Sequence, residues 1–247
     1  MRSVAAALAV LEAVSEHQPA GATEVARAAD LPKTTAHRML HALADLGWIR
    51  PADDPPGHWV ITSKASSIGA RLLPGHELRA VALTVMRRLA ARTGETIHFS
   101  VPDHRYVVLI DKVEGGNPVR TTATIGSRVP THATSAGHAV LAAMPEDDCR
   151  ALVFGAPLEA LTEDTVTDPV RLMTALETVR AQGYAVSVRS RHVDVAAVGA
   201  AILDGDGAPI AALSISMPVQ RFPEHLWAEY GELVRQGAGD CSAPRRR

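Results

Sequence analysis

Leu31-Pro32-Lys33-Thr34-Thr35-Ala36-His37-Arg38-Met39-Leu40, continued by His41 and closed by Leu46-Gly47, carries the strongest structural signal in this 247-residue chain. Pro32 suits the first position of a helix, where its missing N–H would have had no partner. Met39, Leu40, Leu43 and Leu46 recur at helical spacing and are expected to face inward, with Gly47 closing the helix. Off that stripe lie Lys33, Thr34, Thr35, His37, Arg38 and His41, and no acidic residue falls between Lys33 and Ala44. A helix that reads DNA needs this arrangement: its first turns bring N–H groups and cations to phosphates while a few long donors reach base edges in the major groove. Arg38 is the first candidate for a bidentate contact to guanine, with His37 and His41 behind it. The same pattern fits the solvated face of an ordinary helix bundle, so the flanking segments must decide.

Upstream, Val4, Leu8, Leu11 and Val14 recur at three- and four-residue spacing and predict an amphipathic helix ended by Pro19 and Gly21. Thr23 can cap a second short helix over Glu24 to Ala29, with Asp30 and Leu31 as a tight turn before the third. Downstream, Trp48 to Arg50 and His58 to Ile61 flank the polar, proline-rich segment Ala52 to Gly57 and predict a two-stranded wing. Three short helices, a tight turn before the third and a terminal hairpin make the winged helix-turn-helix plan. Net charge does not help: the chain carries −2 overall, and residues 1–72 hold seven Lys or Arg against seven Asp or Glu. Non-specific coating of nucleic acid is thereby excluded, and any DNA binding must come from a local patch. A repurposed module that contacts protein instead would differ in showing no steep salt dependence.

Beyond the wing, a helix is predicted from about Glu77 to Ala91, long enough to separate two domains and apolar enough to pair with a copy of itself. Strands and helices follow. Thr96 to Pro102 and Tyr106 to Lys112 form a hairpin around Asp103 and His104, Ser135 to Met144 and Leu172 to Gln182 are helices, and Tyr184 to Val188 and Val198 to Leu203 are strands. Ile210 to Met217 pairs with the last across Asp204-Gly205-Asp206-Gly207. Pro223 to Gln236 is a closing helix, and Gly237 to Arg247 a frayed basic tail. The expected organisation is a DNA-binding domain over 1–72, a linker helix over 73–92, a sensor domain over 93–238 and a flexible tail over 239–247.

Composition narrows the class further. A chain that is 47% hydrophobic can bury its cores without disulfides, and its two cysteines, Cys149 and Cys241, lack the spacing of a zinc site. No apolar run reaches a membrane span, and Glu12 and Glu16 interrupt the only stretch resembling a leader, so a cytoplasmic, reduced setting is expected. No Gly-x-Ser-x-Gly elbow, phosphate loop, dinucleotide fingerprint or His-Glu-x-x-His is present, which argues against an enzyme and gives no cofactor. His132 and His138 stand six apart, off a common helix face, so no metal set is assigned. His98 in a strand is expected to be a hydrogen-bonded core histidine.

These residues resemble the IclR family of transcriptional regulators. The similarity begins at Leu31 to Leu40 with Leu43 and Leu46-Gly47-Trp48-Ile49. It runs through Gly94-Glu95-Thr96-Ile97-His98, Asp111-Lys112-Val113-Glu114-Gly115, Gly126-Ser127-Arg128-Val129-Pro130 and His132-Ala133-Thr134-Ser135-Ala136-Gly137-His138-Ala139. It returns at Gly183-Tyr184-Ala185-Val186 and Ala211-Ala212-Leu213-Ser214-Ile215-Ser216. The resemblance implies an α+β chain: a winged helix-turn-helix, a linker helix used in dimerisation, and a GAF-like effector-binding domain with a curved antiparallel sheet. It implies double-stranded operator DNA, a small-molecule effector such as an organic acid or aromatic catabolite, and a second copy as partners, in a homodimer or dimer of dimers. Repression is the expected sign.

Carried over by position, the resemblance places the effector against Ser135, Ala136, Ser187, Arg189, Val195, Ala197, Ser214 and Ser216. Helix N-terminal N–H groups and serine hydroxyls can hold a carboxylate there. The alternative for Ser214 and Ser216 is the solvent side of an alternating strand. The chain also departs from the family. Where many members carry an acidic pocket residue and a thiol it has Ser187 and Ala197, where a lysine is usual it has His138, and Arg189-Ser190-Arg191-His192 brings positive charge where negative is usual. The expected ligand is therefore an anion, although the two arginines equally suit a surface loop.

Overall fold

A computed structural model describes residues 2–69 and 76–243 and divides the chain into two compact units, the first ending at Pro74 and the second beginning at Gly75. The expected domain boundary at 72/73 lies outside the described residues, as do residues 244–247 of the expected tail.

In the first unit, α1 (Arg2–His17) is followed by β1 (Ala20–Gly21), α2 (Ala22–Ala28), α3 (Lys33–Asp45), β2 (Ile49–Pro51), β3 (His58–Ile61) and α4 (Ser63–Gly69). Pro32 stands just outside α3, and Ala36, Met39, Leu40 and Leu43 bury its inward face. The helix ends where Gly47, at φ +74°, turns the chain back: the Gly47 N–H donates to the Ala44 carbonyl and the Trp48 N–H to that of Leu43. That left-handed turn suits a residue without a Cβ. It also corrects one expectation: Leu46 is 63% exposed, because the turn sends Trp48 and Ile49 into the core in its place. The Lys64 ammonium, from a helix the sequence reading missed, donates to the Leu46 carbonyl at 2.7 Å and complements the negative end of α3.

On α1 the expected stripe is rotated. Val10, Ala13 and Val14 are buried and Ala6, Ala7 and Leu11 pack beside them, while Val4 and Leu8 are exposed, since the alanines let this face approach the other helices more closely. The wing is three-stranded, in the order β1-β3-β2: Ala20 and Gly21 pair with Trp59 and His58, an addition too short to leave a period in the sequence.

The second unit begins with α5 (His76–Thr93), continues through β4 (Thr96–Asp103), β5 (Tyr106–Val113), β6 (Arg128–Pro130), α6 (Ser135–Ala143), α7 (Glu146–Phe154), α8 (Pro169–Gln182), β7 (Ala185–Val188), β8 (Val195–Leu203) and β9 (Pro209–Pro218), and closes on α9 (Trp227–Cys241). The strands form one antiparallel sheet in the order β6-β5-β4-β9-β8-β7. Leu78, Ala82, Val85, Met86, Leu89 and Ala90 of α5 are buried within this unit, partly against α9, so the stripe expected to meet a second copy is largely used at home. The frayed tail is corrected too: α9 continues to Cys241, which is buried, and the Ser242 hydroxyl accepts from the Leu203 N–H at 3.0 Å. α8 starts at Pro169, three residues before the apolar signal, because the Asp168 carboxylate accepts from the Val170 and Arg171 N–H groups.

Candidate functional site

Each unit carries one candidate site. On α3 Thr34, His37, Arg38 and His41 lie on the side away from its buried stripe, with Lys33 and Thr35 at the two margins: Thr35 is half-buried and the other five are exposed. The first carbonyl bonds of the helix run from the Thr35 and Ala36 N–H groups to Pro32 O, so the Lys33 and Thr34 N–H groups lie ahead of them at the positive end of the helix. The ring of His41 meets the edge of Trp59 on the wing, 5.5 Å between centroids, and its Nε2 stands 3.4 Å from His37 Nε2. The wing thus fixes one margin of the α3 surface, and the whole face offers donors to a negatively charged groove.

The second site is a cavity of about 90 Å³ on one face of the six-stranded sheet, room for several water-sized groups. Strand register builds its floor. Ser187 of β7, Ala197 of β8 and Ser216 of β9 fall in one row of that floor, and Ser214 and His98 in the next, where Gly199 of β8 pairs with Ser214. A roof comes from the start of α6. A Cβ on Gly199 would stand 2.9 Å from the Ala136 backbone N, so only glycine lets the first turn of α6 approach the sheet this closely. Thr134 caps that turn by accepting from the Gly137 N–H, and Ser135 and Ala136 line the cavity beside it. One side is closed by the segment before β6: Thr121, Thr122, Ala123 and Ser127 line it, and the Thr121 hydroxyl donates to that of Ser216 at 3.0 Å.

Of the sequence-derived positions, Ser135, Ala136, Ser187, Val195, Ala197, Ser214 and Ser216 line this cavity. Ser214 and Ser216 are each 5% exposed, so they are not the solvent side of the strand. Arg189 is the exception. Its φ of +57° and the bond its carbonyl accepts from the Thr162 hydroxyl turn its side chain outward, and Arg191, two residues on, lines the cavity with His192. Sequence reasoning also missed His98 and Ser100. Their alternation in β4 signalled a common face, but which face carried the cavity was not legible from one strand.

The electrostatics are one-sided: among the described residues, none that lines the cavity is acidic. Burial, with Arg191 and then Lys112 adding to it, pushes His98 down to about 4, so the ring is neutral at pH 7. Its Nε2 is buried and finds no hydrogen-bond partner among the described residues, contrary to the satisfied core histidine expected. Ser127 Oγ is unpartnered in the same way. Burial lowers Arg191 as well, the sign of a cation short of compensating charge. His138 has a structural role: its Nε2 lies 2.7 Å from His132 O, and His132 Nε2 lies 2.9 Å from Glu159 O.

Comparison with known proteins places both units. Residues 3–53 match the IclR helix-turn-helix domain and residues 70–243 the family described as bacterial transcriptional regulator IclR C-terminal. The chain is 32% identical to the transcriptional repressor IclR of Escherichia coli K12 over 245 residues, covering 98% of this chain and 89% of that protein. In structure it is similar to the IclR of Thermotoga maritima, with a TM-score of 0.80 and 27% identity over 98% of this chain and 97% of that one. It is also similar to an IclR homolog from Microbacterium hydrocarbonoxydans complexed with 4-hydroxybenzoate, at 0.79 and 28% over 97% of both chains. Among the described residues no helix is long and apolar enough to cross a membrane. This chain belongs to the IclR family of DNA-binding transcriptional regulators, whose helix-turn-helix and C-terminal domains it carries in order.

Proposed function

We propose that the chain is a repressor whose operator affinity is set by a small anionic effector, an aliphatic or aromatic carboxylate, held in the cavity of the second unit. The observation that carries this reading is the lining itself. Arg191, His192, the first turn of α6 and the hydroxyls of Ser187, Ser214 and Ser216 converge on one space that contains no carboxylate of the protein. An anion entering it gains donors and meets no like charge. Arg191 is the principal cation, Ser135 and Ala136 offer backbone N–H groups, and Val195 and Ala197 add apolar floor. The aromatic carboxylate named for the Microbacterium relative supports the ligand class.

On the DNA side, Lys33, Thr34 and Thr35 contact phosphates, Arg38 reads guanine, and His37 and His41 reach neighbouring base edges. A homodimer or dimer of dimers places two such helices on half-sites about 10 base pairs apart or a multiple of it. The effector binds one arrangement of the assembly better, changing operator affinity by a coupling of about 1–3 kcal/mol.

Thermal unfolding of the full-length chain against a panel of aliphatic and aromatic carboxylates, with neutral amides of the same shape beside each, tests the proposal. A carboxylate at 100 times its Kd adds about 2.7 kcal/mol and raises the midpoint, while its amide does not. Stabilisation by the amides alone would overturn the anionic reading.

A further inference from the structure

We propose that His37 and His41 form a two-ligand site for a divalent transition-metal ion of the zinc, nickel or copper class on the polar face of α3, and that its occupancy and operator binding exclude each other. The second part rests on the DNA-reading role of α3; the first does not.

The two histidines stand four residues apart, one above the other on the same helical face, and both are exposed. Their Nε2 atoms are 3.4 Å apart, a long ring-to-ring hydrogen bond that a shared ion can replace. Two nitrogens bound at 2.0–2.1 Å to one tetrahedral ion stand about 3.3–3.4 Å apart, so the separation matches the bite of a shared metal. The rings are inclined by 55° with centroids 4.5 Å apart, and a modest rotation of these exposed side chains aims both lone pairs at one point. The edge contact with Trp59 holds the His41 ring at the required side of the helix.

Imidazole nitrogens with no carboxylate on α3 before Asp45 suit zinc, nickel or copper and not magnesium or calcium. Among the described residues no three His, Cys, Asp or Glu side chains gather around an ion, so this site has two protein ligands, its remaining positions filled by water, and exchanges readily. A chelated ion draws both Nε2 atoms away from base edges and puts its hydration shell where those edges would lie. DNA and metal therefore compete, and by reciprocity each weakens the other by the same factor.

Zinc titration of the full-length chain by calorimetry, beside His37→Ala and His41→Ala, tests the site in the absence of DNA. Each variant loses one partner of the chelate and should weaken one zinc per chain by about 10²-fold. Since eleven histidines are present, side-chain nitrogen resonances must assign the effect: zinc should shift those of His37 and His41 first. Unchanged zinc binding in both variants overturns the site. Anisotropy of a duplex from upstream of the chain's own gene, at constant ionic strength, should show zinc weakening DNA binding by the wild type and not by the variants. Zinc bound at the pair with DNA affinity unchanged or raised overturns the exclusion, and a metal-free chain that ignores every duplex overturns the DNA-reading role instead.

Discussion

The α3 surface and the cavity of the second unit are opposites in construction. Six residues within nine positions of one helix make the first; strands β4, β5, β7, β8 and β9, the start of α6 and the segment before β6 make the second. A surface built by a single helix keeps its chemistry in the helical period, whereas a cavity walled by many segments exists only after the sheet has aligned them. The first faces water and gains by long-range charge. The second is recessed against one face of the sheet, and each polar group buried in it must be matched or left unsatisfied.

The sharpest way to break this contrast is salt. Operator affinity of a dimer making roughly 6–10 phosphate contacts should fall by about 10³- to 10⁵-fold between 50 and 200 mM salt, measured by anisotropy, while binding of a single carboxylate in the recessed cavity changes far less. Equal salt slopes at both sites would erase the distinction. Arg38→Ala should cost about 1–3 kcal/mol and relax discrimination at one base pair, leaving carboxylate affinity untouched.

Acid should separate the units next. His98 is held near 4 in the folded chain against 6.5 when free, so between those values the unfolded chain binds the extra proton. Stability therefore falls as pH drops from 6.5 through 4, by up to about 3 kcal/mol from this ring, and His138, lowered by burial, acts in the same direction. Urea unfolding of the second unit at pH 7 and pH 4.5 should show this loss, and His98→Gln should reduce it. An identical loss in that variant would assign the acid limb elsewhere.

A smaller effect distinguishes neighbouring arginines. Arg191→Ala should weaken carboxylate binding by about 1.5–3 kcal/mol, the range for a charge-assisted hydrogen bond, whereas Arg189→Ala, on an outward side chain, should leave it within experimental scatter. The reverse order would restore the position that family resemblance suggested. Smallest of all, Leu46→Lys should shift unfolding of the first unit by no more than about 0.5 kcal/mol, despite its place in the apolar stripe expected to face inward, because that side chain is exposed.

The amino-acid sequence alone determined the three helices and wing of the first unit, the alternation of strands in the second, and the α3 residues that form one polar face. Each depends on short-range periods and end signals, Pro32 and Gly47 among them, that neighbours in the chain can express. Packing between distant segments was needed to leave Leu46 and Val4 in water, to add Ala20 and Gly21 to the wing, and to bury most of the apolar stripe of α5 within its own unit. It alone chose Arg191 over Arg189, since a backbone turned to φ +57° and anchored by Thr162 reverses which arginine points inward. It alone brought His98 beside Ser214, 116 positions later, through strand register. The physical reason is common to all of these: side-chain direction at a strand edge or helix end is set by what packs against it, and those partners are distant in sequence.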